Sequence, residues 1–267
     1  MAVALAIDSA GDEGQIVGNG NPAAIGEARR DQQRAFEAAA EALALGASAH
    51  ASDPAPFGGQ IRDLEEWARR EATLIEDSAI DRLPLVSDST SEHQVFYRAD
   101  DGRAVKRTWP GVYGQVPVPD EGSLGRRNAT PAEYLRRMAL QISVFGSDLK
   151  LEGVTVSEKP SMIIGQPSGQ ASIVISQPWY EKAGVATNEV IHDLMVTEGF
   201  RAVPASYFGW YRPDDGVVVV DAKPDNFIAT TAGLIPIDLQ LAQFSRDELA
   251  TAGLSSDPTA PVIFIPR

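Results

Sequence analysis

The alternation of apolar and polar positions divides this chain into a helical N-terminal stretch, a strand-rich middle and a strand, loop and hairpin near its end. Residues 1–21 are rich in Gly, Asp and Asn and read as a flexible leader. Pro22 to Leu45 is a run of Ala, Glu, Arg and Gln, all strong helix formers except where Gly interrupts. The apolar face of that helix is mostly alanine, which predicts light packing or a partner. Gly46 to Pro56 is small and Pro-containing, the composition of a linker. From Gln60 to Ile75 the apolar positions Ile61, Leu64, Trp67, Ala68 and Leu74 recur near helical spacing and predict a second helix.

Strand-like segments follow at Leu83–Val86, Gln94–Arg98 and Ala104–Thr108, with Asp100-Asp101-Gly102 as the turn between the last two. Thr130, Pro131 and Glu133 form an N-cap, first-turn proline and capping-box pattern. The helix they open runs through Leu135, Met138, Ala139 and Ile142 toward Gly146. Strands near Leu151–Val156 and Ala171–Ile175 come next, then a helix from Thr187 to Gly199 and a strand at Tyr207–Arg212. Val217-Val218-Val219-Val220 reads as a buried strand ending at Asp221. Residues 227–230 and 234–237 read as two arms of a hairpin turning at Gly233, with Asp238 at its end. This order of elements predicts an α+β fold.

Composition narrows the chemistry. The 267 residues accommodate one domain of roughly 200 residues plus an extension. Hydrophobic residues at 43% and charged residues at 22% are ordinary for a soluble globular protein. There is no cysteine, which excludes disulfides, thiolate metal sites and a Cys nucleophile, and three histidines are too few for a multi-histidine zinc site. A net charge of −14 opposes nonspecific attraction to nucleic acid or anionic membrane. Residues 1–7 are apolar, but they lack a basic flank and Asp8 interrupts them, so neither a signal peptide nor a membrane span is expected. Asn128-Ala129-Thr130 matches a glycosylation sequon that, without export, carries no meaning. A cytoplasmic location is the expectation.

The candidate chemistry lies in Asp221-Ala222-Lys223-Pro224-Asp225-Asn226 and in Pro236-Ile237-Asp238-Leu239. Phosphoryl transfer needs positioning and charge neutralisation more than covalent chemistry. Asp221, at a strand end, would accept or orient the proton of an acceptor hydroxyl. Lys223 could reach the transferring phosphate. Asn226 and Asp238 offer a neutral and an anionic oxygen for Mg²⁺, a hard cation that takes oxygen ligands. Taken singly, Asp221 and Asn226 are also ordinary turn residues.

The chain resembles the protein-kinase-like superfamily. Asp221 to Asn226 matches D-x-x-x-x-N of the kinase catalytic loop, and Ile237-Asp238-Leu239 stands where kinases carry D-F-G. More narrowly it is similar to the kinase-like domains of polyvalent proteins of phages and mobile elements. Supporting segments are Ser91 to Tyr97, Val105-Lys106-Arg107-Thr108, Thr130 to Arg137, Leu151 to Val154 and Ile175 to Pro178, which occur in the required order over roughly residues 57–245. The resemblance implies a bilobal fold. Residues 1–56 would be the leader, helix and linker, 57–179 a five-stranded small lobe with hinge, and 180–267 a truncated C-terminal lobe.

It further implies that Lys106 contacts the α/β phosphates of ATP, with Arg107 on the opposite side of the strand. Its glutamate partner would lie on the following helix, where Glu133 is the candidate; Glu133 reads equally as a capping carboxylate. Gln177, within a hinge at Ser176 to Trp179, would border the adenine. Trp179 and Tyr180 could serve in packing, and His93 and His192 read as structural histidines. The sequence also departs from the family. Ser87 to His93, in the place of the phosphate-covering loop, has no glycine. Val219-Val220 replaces the residues before the catalytic aspartate, Leu239-Gln240 follows Asp238, and no A-P-E segment is present. The implied function is ATP- and Mg²⁺-dependent transfer to a hydroxyl of a small molecule or protein. A catalytically inactive nucleotide-binding pseudokinase acting as an interaction module is the alternative. Nucleotidyl transfer through a reoriented ATP and a purely structural fold also remain open.

Overall fold

A computed structural model describes residues 22–49, 56–88, 92–157, 169–204, 206, 208–257 and 259. The expected leader at 1–21, the linker segment 50–55, part of the glycine-free loop and Tyr207 lie outside the described residues.

The first elements appear in the expected order with shifted bounds. The first helix runs past Leu45 to Ala49. The second starts at Pro56 and ends at Arg70, short of the expected Ile75, with Leu74 bridged to Val154 instead. Helices α1 (Pro22–Ala49) and α2 (Pro56–Arg70) lead into a short α3 (Asp77–Asp81). Strands β1 (Leu85–Ser87), β2 (His93–Arg98) and β3 (Arg103–Thr108) form an antiparallel meander. A hairpin of β4 (Gln115–Asp120) and β5 (Ser123–Asn128) then precedes α4 (Pro131–Phe145), β6 (Lys150–Ser157) and β7 (Gln170–Pro178). The five strands of the main sheet run in the order β1-β2-β3-β7-β6, so α4 is inserted between neighbours of one sheet. Thr130 accepts from the Glu133 amide while Glu133 reaches back to the Thr130 amide, and Gly146 ends α4 at φ 61°. The capping box and the left-handed stop seen in the sequence thus fix both ends of this helix.

Helix α1 is more than a lightly packed extension. Phe36, Ala39, Ala40 and Leu43 are fully buried in one cluster with Leu64, Tyr134, Leu135, Val154 and Ile173. The alanines let α1 approach α4 closely, while Phe36 and Leu43 supply the apolar volume. Burying two such side chains contributes about 1.5–3 kcal/mol each.

The β4–β5 hairpin departs from expectation. Val116 and Val118 alternate as a strand should, but Pro117 and Pro119 interrupt them and cannot donate to a ladder. The structure accommodates both prolines because β4 pairs with β5 alone, in a two-stranded sheet. Its turn is anchored: the Gly122 amide donates to the Thr251 carbonyl at 2.9 Å.

Beyond β7, helix α5 (Asn188–Thr197) is capped by Thr187 and leads to β8 (Arg201–Ala202), β9 (Trp210–Tyr211) and β10 (Val217–Val220). The expected strand at 207–212 is therefore shorter. Hairpin β11 (Phe227–Thr230) and β12 (Gly233–Pro236) follows, then β13 (Gln240–Gln243) and α6 (Arg246–Thr251). The second sheet runs β13-β10-β9-β8. All four valines of β10 are buried because both faces of the strand are covered. Val217 and Val219 join the cluster around Leu239 and Leu241, whereas Val218 and Val220 join that of Phe244 and Leu249. The fold is α+β with antiparallel sheets. Among the described residues no helix is long and apolar enough to cross a membrane.

Candidate active site

Strand β10 delivers Asp221 to the surface and then reverses. Asp221 has φ 63°, a left-handed conformation that a short polar side chain tolerates better than most. The chain closes into a 3-10 turn over Pro224–Asn226. The Lys223 amide donates to the Asp221 carbonyl at 2.8 Å, and the Asn226 amide to the Lys223 carbonyl at 2.9 Å. Side chains complete the loop. Asn226 Nδ2 donates to the Asp221 carbonyl at 2.7 Å and to Asp221 Oδ2 at 2.8 Å. Lys223 Nζ lies 3.2 and 3.1 Å from the two carboxylate oxygens of Asp221. Asn226 is buried, and its amide oxygen accepts no hydrogen bond from the described residues.

The β11–β12 hairpin returns the chain to this loop. The Ile237 amide donates to the Asn226 carbonyl at 3.0 Å, which sets Asp238 beside it. Two elements then hold three consecutive residues of this return. Gln141 Nε2 of α4 donates to the Pro236 carbonyl at 3.0 Å. Lys106 Nζ of β3 donates to the Ile237 carbonyl at 2.8 Å and to Asp238 Oδ1 at 2.9 Å. Lys106 is buried, whereas about a third of the Asp238 side chain (36%) stays exposed. Arg107, the next residue, turns to the opposite face, where Asp77, Asp81 and Gln94 bind it.

Burial pushes the Asp238 carboxyl up, but Lys106, His93 and Arg137 together hold it below the usual carboxylate range. His93 is buried, with Nδ1 3.8 Å from Asp238 and Nε2 2.9 Å from the Tyr134 hydroxyl. Its pKa falls to about 4 because burial penalises the imidazolium; Asp238 opposes that shift and Lys106 reinforces it. Arg137 is likewise buried and pairs with Glu92, with its Nη1 also 3.2 Å from the Gln115 carbonyl. Glu92 belongs to the glycine-free loop, and this pairing turns its charge inward. Asp238, Asp221 and Lys223 remain partly exposed at the site.

The structure brings Lys106, Asp221, Lys223, Asn226 and Asp238 together, and it separates Glu133 from them. Glu133 is paired with Arg127, its Oε2 lying 2.7 Å from Arg127 Nη1, and accepts from the Thr130 amide and hydroxyl at 2.9 Å. The expected Lys106–Glu133 ion pair is thus corrected to Lys106–Asp238. A carboxylate in the first helical turn closes its own cap before it can span to a neighbouring strand. Glu133 instead lines an open cleft of about 700 Å³ between α1, α4, the β4–β5 hairpin and β13, which contains none of the residues of the Asp221 loop.

Gln177 is buried in β7 opposite Ala104, while Ile175 stands opposite Lys106, so Gln177 shares the sheet face of Lys106. Trp179 packs edge-on against Tyr97 with ring centroids 5.2 Å apart, and His192 does so against Trp210 at 5.4 Å. The residues absent from the expected site are Glu92, Tyr134, Arg137 and Gln141. Tyr134, Arg137 and Gln141 recur at helical spacing on the buried face of α4, and polar groups on an apolar face were the signal for them.

Among the described residues no three His, Asp or Glu side chains converge as a metal site. Asn226 and Asp238 each carry an oxygen of the type that Mg²⁺ takes, a cation that characteristically binds one or two protein ligands and completes its shell with water and phosphate. No family model, curated protein or solved structure matches this chain.

Proposed function

We propose that this chain is a kinase-like phosphotransferase that binds Mg·ATP and transfers its γ-phosphoryl group to a hydroxyl of a small molecule or protein. The observation that carries the reading is the junction at Lys106. One buried ammonium from β3 holds both the Ile237 carbonyl and Asp238, and the same Ile237 is hydrogen-bonded to Asn226 of the Asp221 loop. Nothing in apolar packing requires a cation, two carboxylates and a carboxamide at one junction of two sheets.

In this reading Lys106 and Lys223 offset phosphate charge, and Asp221 orients or accepts the proton of the acceptor hydroxyl. Asn226 and Asp238 would hold Mg²⁺, which neutralises charge on the phosphates when bound. Gln177 would border the adenine beside the sheet face of Lys106. The five-stranded sheet with one inserted helix, followed by a second sheet carrying the catalytic loop, supports a bilobal kinase-like arrangement. Likeness to the polyvalent-protein domains places the acceptor in no particular class.

A second reading, the nucleotide-binding pseudokinase, is favoured by one observation: Lys106 and Asp238 already satisfy each other at 2.9 Å. Thermal-shift titration with ATP, with and without Mg²⁺, tests both readings on wild type and Asp238→Asn. Mg²⁺-dependent stabilisation lost in the variant supports a metal–nucleotide site, and no shift in wild type at millimolar ATP removes it. Phosphate release or acceptor labelling by the wild type then separates enzyme from pseudokinase, and the mass added to the acceptor separates phosphoryl from nucleotidyl transfer.

A further inference from the structure

We propose that Arg126, on the inserted β4–β5 hairpin, is an additional phosphate-binding residue that contacts the γ-phosphate of ATP at Asp221. The proposal rests on the phosphotransferase reading and adds to it a cation from an element outside the main sheet and the catalytic loop.

The hairpin sits where it can deliver such a group. It is inserted between β3 and α4, and its turn is tied to the far end of the fold through the Gly122 amide and the Thr251 carbonyl. Gly253 also packs against Gly122. Strand alternation then sends adjacent arginines to opposite faces. Arg127 is committed to Glu133, with Nη1 and Oε2 2.7 Å apart. Arg126 faces the catalytic loop, with Nη1 4.0 Å from Asp221 Oδ1.

That distance is an ion-pair distance and exceeds hydrogen-bond reach. The Arg126 guanidinium makes no hydrogen bond to the described residues, and 41% of its side chain is exposed. Its donors are therefore available to an incoming oxyanion, for which the planar guanidinium can give two parallel hydrogen bonds.

Arg126 differs from the other cations near the loop in how it is engaged. Of the cations near the loop, Lys106 is neutralised by Asp238 and Arg137 by Glu92. Lys223 and Arg126 share the single carboxylate of Asp221, whose Oδ2 already accepts from Asn226. Exposed Asp225 is the other acid of this loop, and its side chain makes no ion pair there among the described residues. Lys223 and Arg126 are thus balanced by Asp221 and Asp225, and what favours an anion here is the set of unbonded guanidinium donors of Arg126. Arg126 lies on the Asp221 side of the loop, so a phosphoryl group presented to a hydroxyl oriented by Asp221 would come within reach of its guanidinium once the two side chains part.

Isothermal titration of the full chain tests this with Mg²⁺ and either a non-hydrolysable ATP analogue or ADP. Wild type, Arg126→Gln and Arg126→Lys are compared. A guanidinium contact to the γ-phosphate predicts that Arg126→Gln weakens the ATP analogue about tenfold. ADP affinity stays unchanged, which also shows that the variant is folded, and Arg126→Lys recovers part of the loss. Equal weakening of both nucleotides, or of neither, overturns the role of Arg126 while leaving the phosphotransferase reading in place. Failure of wild type to bind either nucleotide removes that reading and this inference together.

Discussion

Lys106 and Asp238, 132 positions apart in the chain, meet at 2.9 Å and join the main sheet to the end of the β11–β12 hairpin. Only the folded topology makes this contact, so the ion pair doubles as a latch between the two halves of the site. A ligand phosphate at Lys106 and a cation at Asp238 would exchange partners with this pair, at the cost of one internal contact.

Removing one member of the latch strands the other. Lys106→Met leaves Asp238 without its nearest cation and removes the hydrogen bond to the Ile237 carbonyl. Because Asp238 remains partly exposed, the loss should be about 1–3 kcal/mol, below that of a fully buried pair. Urea unfolding of Lys106→Met, Asp238→Asn and the double variant measures it. A double variant that loses as much as the two single losses combined would show that the residues do not act as a pair.

His93 makes stability depend on pH. Its pKa falls from 6.5 to about 4 on folding, so the unfolded chain binds more protons between those values. Stability contributed by neutral, buried His93 is therefore full above pH 6.5 and declines as the pH falls toward 4, by about 1.4 kcal/mol per unit. The Asp238 carboxyl, held below its usual range, adds a loss only below about pH 4. Unfolding midpoints between pH 7 and pH 5 should fall for wild type and stay flatter for His93→Phe. Parallel profiles in the two proteins would remove His93 as the source.

Buried Arg137 pairs with Glu92, and this pair holds the loop where glycines were absent. Of the loop's two acids, Asp88 stays exposed, whereas Glu92 is turned inward by this pairing. Gly114 makes room for it: at φ 70°, any Cβ there would collide with the Glu92 carboxylate. Gly114→Ala should therefore destabilise by at least about 1–2 kcal/mol from the left-handed backbone alone. Calorimetric melting checks this, and a Tm equal to that of wild type would contradict the packing described.

The conformation of the Asp221 loop and its flanks was legible in the sequence because each signal was local. Four valines, the Asp221-to-Asn226 spacing and the Gly233 turn act within a few residues of one another, and the capping box of α4 likewise closes over Thr130 to Glu133. The partner of Lys106 was not legible, because choosing Asp238 over Glu133 depends on how two sheets and a helix assemble. Proline chemistry hid the β4–β5 hairpin, since Pro117 and Pro119 are tolerated only where a strand lacks a second neighbour. Arg126 was hidden with it.

Asn226 provides the sharpest division between a structural loop and a metal site. Its Nδ2 fixes Asp221 through both the backbone carbonyl and Oδ2, while its amide oxygen accepts no hydrogen bond from the described residues. Asn226→Asp keeps an oxygen at that position but replaces the donor to Asp221 with a second carboxylate, and the repulsion should weaken the fold by about 1–2 kcal/mol in the absence of metal. Mg²⁺ would relieve the repulsion, so the variant should gain more thermal stability from Mg·ATP than wild type does. Asn226→Leu removes donor and ligand together and should abolish the Mg²⁺-dependent gain. If Asn226→Asp is weakened and neither Mg²⁺ nor Mg·ATP restores it, Asn226 serves only to hold Asp221, and the oxygen site beside Asp238 holds no cation.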